Sequence, residues 1–231
     1  MKKNKNGCDL KSCFFCRLCL QEWAPAIEAN RKTMHVKKGE VIFREGKEVT
    51  GVYFVNKGKI KVHKKWGNDK ELIVRIANKG AIVGHRGLGS STVYPVSGTA
   101  IEASVVCFID IDFFKTTLKV NHAFTYELMM FFADELQESE RKMRNLAHMS
   151  VKGRVAQALL ALQEKFGLTE EGYIDIVLSR QDLASYTGTT YETLFRIINE
   201  LVQDNAIKLS DKNIYVMDAE KLLSFTKQND A

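Results

Sequence analysis

The chain has 231 residues, with 34 Lys and Arg against 28 Asp and Glu and a formal charge of +6. That length holds one large or two modest domains, each with its own core. No apolar run reaches the roughly 18 residues of a membrane span, and the basic start lacks the apolar stretch and cleavage site of a secretory signal, so a cytoplasmic protein is expected. The positive charge suits a polyanion without locating it. Its surplus lies in Lys2, Lys3, Lys5, Lys37, Lys38 and the run from Lys57 to Lys65, whereas from Met149 onward acids slightly outnumber bases. A nucleic-acid reading has to stand on motif geometry. No Ser/His/Asp or Cys/His arrangement, glycine-rich phosphate loop or paired-carboxylate motif stands out, and the histidines are scattered, so no enzyme is expected.

Residues 1–22 form a Cys-rich segment with Cys8, Cys13, Cys16 and Cys19; a fifth cysteine, Cys107, is remote. In a cytoplasmic chain, close cysteines serve more often as metal ligands than in disulfides, and thiolates suit zinc or an iron–sulfur cluster. Three readings stay open: a cluster, a four-cysteine zinc knot from Cys8, Cys13, Cys16 and Cys19, and thiols that bind no metal.

Residues 23–118 read as an antiparallel β-barrel or sandwich. Short β-rich segments (EVIFREG, GVYFVNKG, KIKVHKKWG, ELIVRIANKG, SGTAIEASVVCFID) alternate with glycines at hairpin spacing. Ile42, Val52, Phe54, Ile60, Val62, Ile73, Val74, Ile76 and Val105 are expected to fill its core.

Residues 119–149 switch to a helical period from Asn121 to Met149 without Gly or Pro. Leu128, Phe132, Leu136, Ser139, Met143 and Leu146 step by four and three, a seam that one barrel cannot cover. Such a helix often pairs with its symmetry mate.

Residues 150–231 begin with a helix over Arg154–Phe166 and lead to LSRQDLASYTGTTYETLFRIINEL, Leu178 to Leu201. Ser179 with Asp182, and Thr189 with Glu192, have the spacing of helix N-caps, and Gly188 supplies the turn between two helices. Leu194, Ile197, Ile198 and Leu201 fall on one apolar face, leaving Tyr191, Glu192, Phe195, Arg196 and Asn199 outward. A hairpin, AIKLSDKNIYV, follows as a wing. The whole is a winged helix-turn-helix whose second helix enters the DNA major groove. Residues expected at the DNA are Ser179, Arg180, Thr190, Tyr191, Glu192, Phe195 and Arg196. The plain alternative makes Glu192 and Arg196 an i,i+4 surface pair worth about 0.2–0.5 kcal/mol.

The order of barrel, long helix and winged helix resembles the CRP/FNR family of bacterial transcription regulators, over nearly the whole chain. Its sharpest element is Glu192-Thr193-Leu194-Phe195-Arg196, similar to the family's E-T-x-x-R core. The resemblance implies an α+β fold whose barrel is a cyclic-nucleotide-binding-like jelly roll, a homodimer on a palindromic operator, and RNA polymerase as a partner. It makes Glu192 and Arg196 base-edge readers, since Arg can donate twice to guanine and Glu can accept from cytosine.

Two branches of that family differ in their sensors. Cyclic-nucleotide receptors place an acid after the cassette glycine and an Arg-Ser or Arg-Thr pair beyond it. Here Gly84 is followed by His85 and Arg86, with Tyr94-Pro95-Val96-Ser97 near the second position, which argues against a cyclic nucleotide. Arg86 reads as a surface loop residue. IVGHRGLGSS and IEASVVCFID look instead like the FNR-like branch, with Cys107 at the place of that branch's remote cysteine. The resemblance then implies an iron–sulfur cluster on Cys13, Cys16, Cys19 and Cys107, with Cys8 as alternative ligand, stapling a flexible N-terminal loop to the barrel. Cys19 follows Cys16 sooner than the third ligand does in FNR. The effector of the barrel itself is unknown.

Overall fold

The computed structural model describes residues 12–67 and 70–227; Cys8 lies outside them. It divides into two compact units, Met1–Asp69 with Val74–Gln137, and Lys70–Ile73 with Glu138–Ala231.

The first unit opens with α1 (Phe14–Leu18), a 3₁₀ turn over Gln21–Trp23 and α2 (Ala24–Asn30). Eight strands follow: β1 (Arg31–Val36), β2 (Val41–Phe43), β3 (Gly51–Lys57), β4 (Ile60–Trp66), β5 (Lys70–Ala77), β6 (Ile82–Val83), β7 (Ser97–Ala100) and β8 (Ser104–Asp110). They form two four-stranded sheets, ordered β1-β8-β3-β6 and β2-β7-β4-β5, the jelly-roll arrangement expected. After them come α3 (Ile111–Val120) and α4 (His122–His148), the latter continuing into the second unit, which also takes Lys70–Ile73 of β5.

The β1-β8-β3-β6 sheet is buried on both faces, which is why GVYFV in β3 is an unbroken apolar run rather than an alternating one. Tyr53, Val55 and Val106 point into the interior of the jelly roll with Val36, Val62 and Val83. Val52, Phe54, Cys107 and Ile109 point the other way, into a second core under α1, α3 and α4. Two of the residues expected inside the barrel, Val52 and Phe54, therefore serve this outer core, and Val105 is only half-buried where Val106 is fully buried.

Among the described residues, the stretch between Cys13 and Cys19 is the helix α1 rather than the loop expected. Phe15 seats it, fully buried and stacked on Phe54 at 4.9 Å and Phe114 at 5.9 Å, with the edge of Phe124 at 5.2 Å. Trp23 adds a second anchor, stacking on Phe113 and donating from Nε1 to Thr117 Oγ1 at 3.0 Å. Emptying a site of Phe15's kind costs about 3–5 kcal/mol.

Fully buried Asn121 separates α3 from α4, its Oδ1 accepting from the Phe124 N–H at 3.1 Å. Along α4, Leu128 is buried and Phe132 half-buried, so the expected seam is rotated at its start. The apolar side chains left exposed are Tyr126, Met129, Met130, Leu136, Met143 and Leu146, with Leu136 61% and Met143 64% accessible.

The second unit contains α5 (Val151–Phe166), α6 (Arg180–Thr187), α7 (Tyr191–Gln203), a hairpin of β9 (Ile207–Ser210) with β10 (Asn213–Val216), and α8 (Ala219–Thr226). Ser150 caps α5 by accepting from Gly153 N–H. Gly153 itself lies so close to α8 that a Cβ would sit 2.6 Å from the Phe225 carbonyl oxygen. Asp218 caps α8, a helix that hydrophobic period alone did not reveal.

Candidate functional site

The winged helix-turn-helix is built as its sequence dictates. Ser179 Oγ accepts from the Asp182 N–H at 3.0 Å and donates to that carboxylate at 2.6 Å, so α6 begins with a closed cap. Gly188 ends α6 in the left-handed region, φ 65°. The second cap differs from expectation. Thr190, not Thr189, caps α7, accepting from the Thr193 N–H at 3.2 Å. Glu192 is thereby released from any capping duty.

Leu194, Ile197, Ile198 and Leu201 are all buried. The opposite face presents Tyr191, Glu192, Phe195, Arg196 and Asn199 to solvent, with the Tyr191 and Phe195 rings nearly parallel at 6.5 Å. Glu192 has no hydrogen bond or ion pair among the described residues. Arg196 pairs with Glu200 one turn on, so the Glu192–Arg196 surface pair does not form. An exposed i,i+4 pair is weak enough for Arg196 to exchange it for a base edge. Arg180 Nη2 donates to the Asp211 carbonyl at 3.1 Å, tying the start of α6 to the wing turn.

Sequence reading missed the residue that holds the turn. Arg154 of α5 donates to the carbonyls of Thr187 (3.0 Å), Gly188 (3.3 Å) and Met149 (2.9 Å). These are carbonyls left without partners where helices end. Nothing in spacing distinguishes this arginine from other arginines on the surface of a helix.

In the first unit the cassette runs through Gly84 into a short 3₁₀ turn, His85–Gly87. Arg86 is not a free loop residue: its Nη2 meets Glu135 Oε2 of α4 at 3.0 Å, while Arg75 Nε meets Glu135 Oε1 at 3.2 Å. His85 is buried against the edges of Phe131 and Phe132. Burial, and then the Arg75 and Arg86 charges, hold its imidazole well below its ordinary pKa. At the second cassette position the hydroxyls are already engaged. Tyr94 donates to the Gly51 carbonyl at 2.7 Å, and Ser97 Oγ accepts from Glu45 N–H at 3.0 Å. Tyr94 also packs on Phe43 at 4.9 Å, beside Tyr53, within the jelly roll.

The four described cysteines meet in the outer core. Cys13 caps the start of α1 and Cys19 its end, and Cys16 lies between. Cys13 (8% exposed) and Cys107 (5%) line one small cavity with Phe54 and Lys79. Cys16 and Cys19 line a second cavity with Ile27 and Arg31. None is in a disulfide. Burial first, and then Cys13, push the Cys19 thiol up to about 12. No group of three or more His, Cys, Asp or Glu among the described residues is arranged to hold a metal ion. The thiols are gathered without being converged. Thiolates as a ligand type suit an iron–sulfur cluster or zinc, but among the described residues these four are not arranged to hold either. No helix among the described residues is long and apolar enough to cross a membrane.

Comparison with known proteins agrees with both units. Residues 33–121 match the cyclic nucleotide-binding domain, and residues 153–225 the Crp-like helix-turn-helix domain. The anaerobic regulatory protein of Bacillus subtilis (strain 168) is 27% identical over 201 residues, covering 86% of this chain and 83% of that one. The cAMP-activated global transcriptional regulator CRP of Salmonella typhimurium is 28% identical over 200 residues, covering 83% and 94%. Among solved structures, FixK2 from Bradyrhizobium japonicum superposes with a TM-score of 0.76 at 22% identity, covering 86% of this chain and 98% of its own. The chain belongs to the CRP/FNR family. It is a transcription regulator with a helix-turn-helix DNA-binding domain.

The His85 environment sets a pH dependence. Its folded pKa is depressed, so the unfolded chain binds the extra proton and stability falls as pH drops below about 6.5, by at most about 1.4 kcal/mol per pH unit. Urea unfolding of wild type between about pH 7 and about pH 5.5 is expected to show this slope. His85→Leu should flatten it.

Proposed function

We propose that this regulator senses redox state through an iron–sulfur cluster on Cys13, Cys16, Cys19 and Cys107. It acts as a homodimer joined along α4, reads a palindromic operator with Glu192 and Arg196, and works on RNA polymerase in the cytoplasm, with no enzymatic role. The observation that carries the sensor reading is the gathering of the four thiols in one buried core that also contains the start of α4. A zinc knot with Cys8 leaves unexplained why Cys107 lines a cavity with Cys13. The FNR-like pattern of the cysteines and the name of the Bacillus relative, an anaerobic regulatory protein, are consistent with the reading. Cyclic nucleotide, the effector named for the Salmonella relative, lacks its anion-binding pair at Gly84-His85-Arg86 and Tyr94–Ser97.

A bound cluster supplies a centre whose integrity follows the redox state of its surroundings. The protein's part is to carry that state to the dimer helix. Phe14 lies 5.9 Å from Phe124 and 5.3 Å from Phe131, and Phe15 touches Phe124, so α1 leans directly on α4. A change in how α1 is held changes what α4 presents, and a bias of a few kcal/mol shifts a two-state equilibrium. On α4 the exposed row Tyr126, Met129, Leu136 and Met143 is the surface for a second copy. A two-fold dimer sets two α7 helices one DNA turn apart, roughly 34–36 Å. On α7, Arg196 offers a bidentate donor and Glu192 an unengaged carboxylate.

Three measurements test this reading. Arg196→Ala should lose about 1–3 kcal/mol of operator affinity, concentrated at one base pair; a loss uniform over all sequences makes Arg196 a phosphate contact instead. Leu136→Glu should yield monomer by light scattering with operator DNA present, and a dimer unchanged by this substitution counts against α4 as the interface. Cys107→Ser, purified without oxygen, should lose iron, sulfide and operator binding together; metal retained on four thiolates selects the zinc knot.

A further inference from the structure

The outward face of α7 carries two parallel stripes, because residues four apart in a helix stand one above the other. Glu192, Arg196 and Glu200 form one stripe, and its last two members pair with each other. Tyr191, Phe195 and Asn199 form the stripe beside it. Tyr191 is 44% exposed and Phe195 53%, with the rings 6.5 Å apart and within 16° of parallel. The core face of α7 is already supplied by Leu194, Ile197, Ile198 and Leu201, so neither ring is needed to seat the helix. Aromatic residues are also poorer helix formers than Ala, Lys or Glu. At this spacing the rings stand near the outer limit of aromatic pairing, and much of each stays in water, where apolar surface is unfavourable. Two adjacent exposed rings on a helix that enters DNA are a surface for a partner.

The major groove offers such a surface one apolar feature, the C5 methyl of thymine. Cytosine presents an amino donor there and no methyl, and both purines present polar edges. A phenyl ring against the methyl removes apolar surface from water. Against an amino group or a purine acceptor it would strand a polar group without a partner. An aromatic stripe therefore separates thymine from the other three bases. The 6.5 Å between the ring centroids is close to two base steps of roughly 3.4 Å, so the two rings reach different base pairs.

We infer that Tyr191 and Phe195 are thymine readers that set part of the sequence specificity. Phe195 packs on the C5 methyl of a thymine beside the base pair that Arg196 reads, and Tyr191 on a second thymine farther along. The inference rests on α7 lying in the major groove and adds apolar readout to the polar readout proposed for Glu192 and Arg196.

The test uses the full chain purified without oxygen, as wild type, Phe195→Ala, Tyr191→Ala and Arg196→Ala, each selecting duplexes from a random pool. The duplex selected by wild type is then made with deoxyuridine in place of one thymine at a time, which deletes the methyl and keeps every hydrogen-bonding group. Loss of the methyl under Phe195 should weaken wild-type binding about fourfold, which corresponds to about 0.8 kcal/mol for one buried carbon. Phe195→Ala should bind the thymine and deoxyuridine duplexes equally and select no thymine at that position, and Tyr191→Ala should lose the preference at the other position alone. Wild-type affinity indifferent to deoxyuridine at every thymine, or a thymine preference kept by Phe195→Ala, overturns the inference. Arg196→Ala distinguishes the two readings. If it selects the same bases as wild type and keeps the deoxyuridine effect, Arg196 is no base reader and the role of Phe195 stands. A wild type that selects no sequence from the pool overturns readout by α7 and this inference with it.

Discussion

The outer core of the first unit is organised around Phe15. A five-residue helix has no stability of its own in water, and α1 exists because this ring fills a slot among Phe54 of β3, Phe114 of α3 and Phe124 of α4. The same ring fixes where Cys13, Cys16 and Cys19 stand relative to Cys107 and to α4. The placement of the thiols and the packing of α1 on α4 thus share one aromatic contact set. The slot exists because the sheet beneath it is buried on both sides, so that β3 offers Phe54 outward while Tyr53 faces inward.

In the second unit the comparable constraint is the turn between α6 and α7. Gly188 permits the backbone to reverse, and Arg154 fixes the result by meeting three carbonyls. The cap on Thr190 starts α7 one residue later than Thr189 would have done. That shift leaves Glu192 in the first turn, where its charge suits the helix dipole and its carboxylate stays unengaged. On that outward face Arg196 is paired with Glu200, whereas the Glu192 carboxylate has no partner among the described residues.

The parts legible in the sequence were those that a local rule controls. The i, i+3, i+4, i+7 stripe on α7, the Ser179 cap, the glycine turn and the hairpin wing are each written within a few residues, and each formed as read. The jelly roll was legible from strand punctuation, but the side each strand faces was not, because two-sided burial erases alternation. Hence Val52 and Phe54 went to the helix-covered side and Val106 displaced Val105. The short helices α1 to α3 and α8 escaped because tertiary contacts or a single cap hold them. Arg86 looked like a loop residue because its partner, Glu135, is 49 positions away. The rotated seam on α4 follows from the same rule, since Leu128 and Phe132 are claimed by their own unit.

The two-faced sheet gives β8 the character of a partition with separate tenants. Odd positions Cys107 and Ile109 look towards the thiol-bearing helix, while Val106 looks into the jelly roll. Which chamber a side chain occupies is decided by parity along the strand and not by its chemical neighbours in the chain. A single-residue deletion near Ser104 that slid the strand by one step would exchange the tenants, lodging the sulfur of Cys107 among the valines and tyrosines of the interior. The cysteine's address is therefore stored in the hydrogen-bond ladder with β1 and β3, at Thr33 and Phe54. Length between Gly98 and Asp110 is accordingly less free to vary than side-chain identity there.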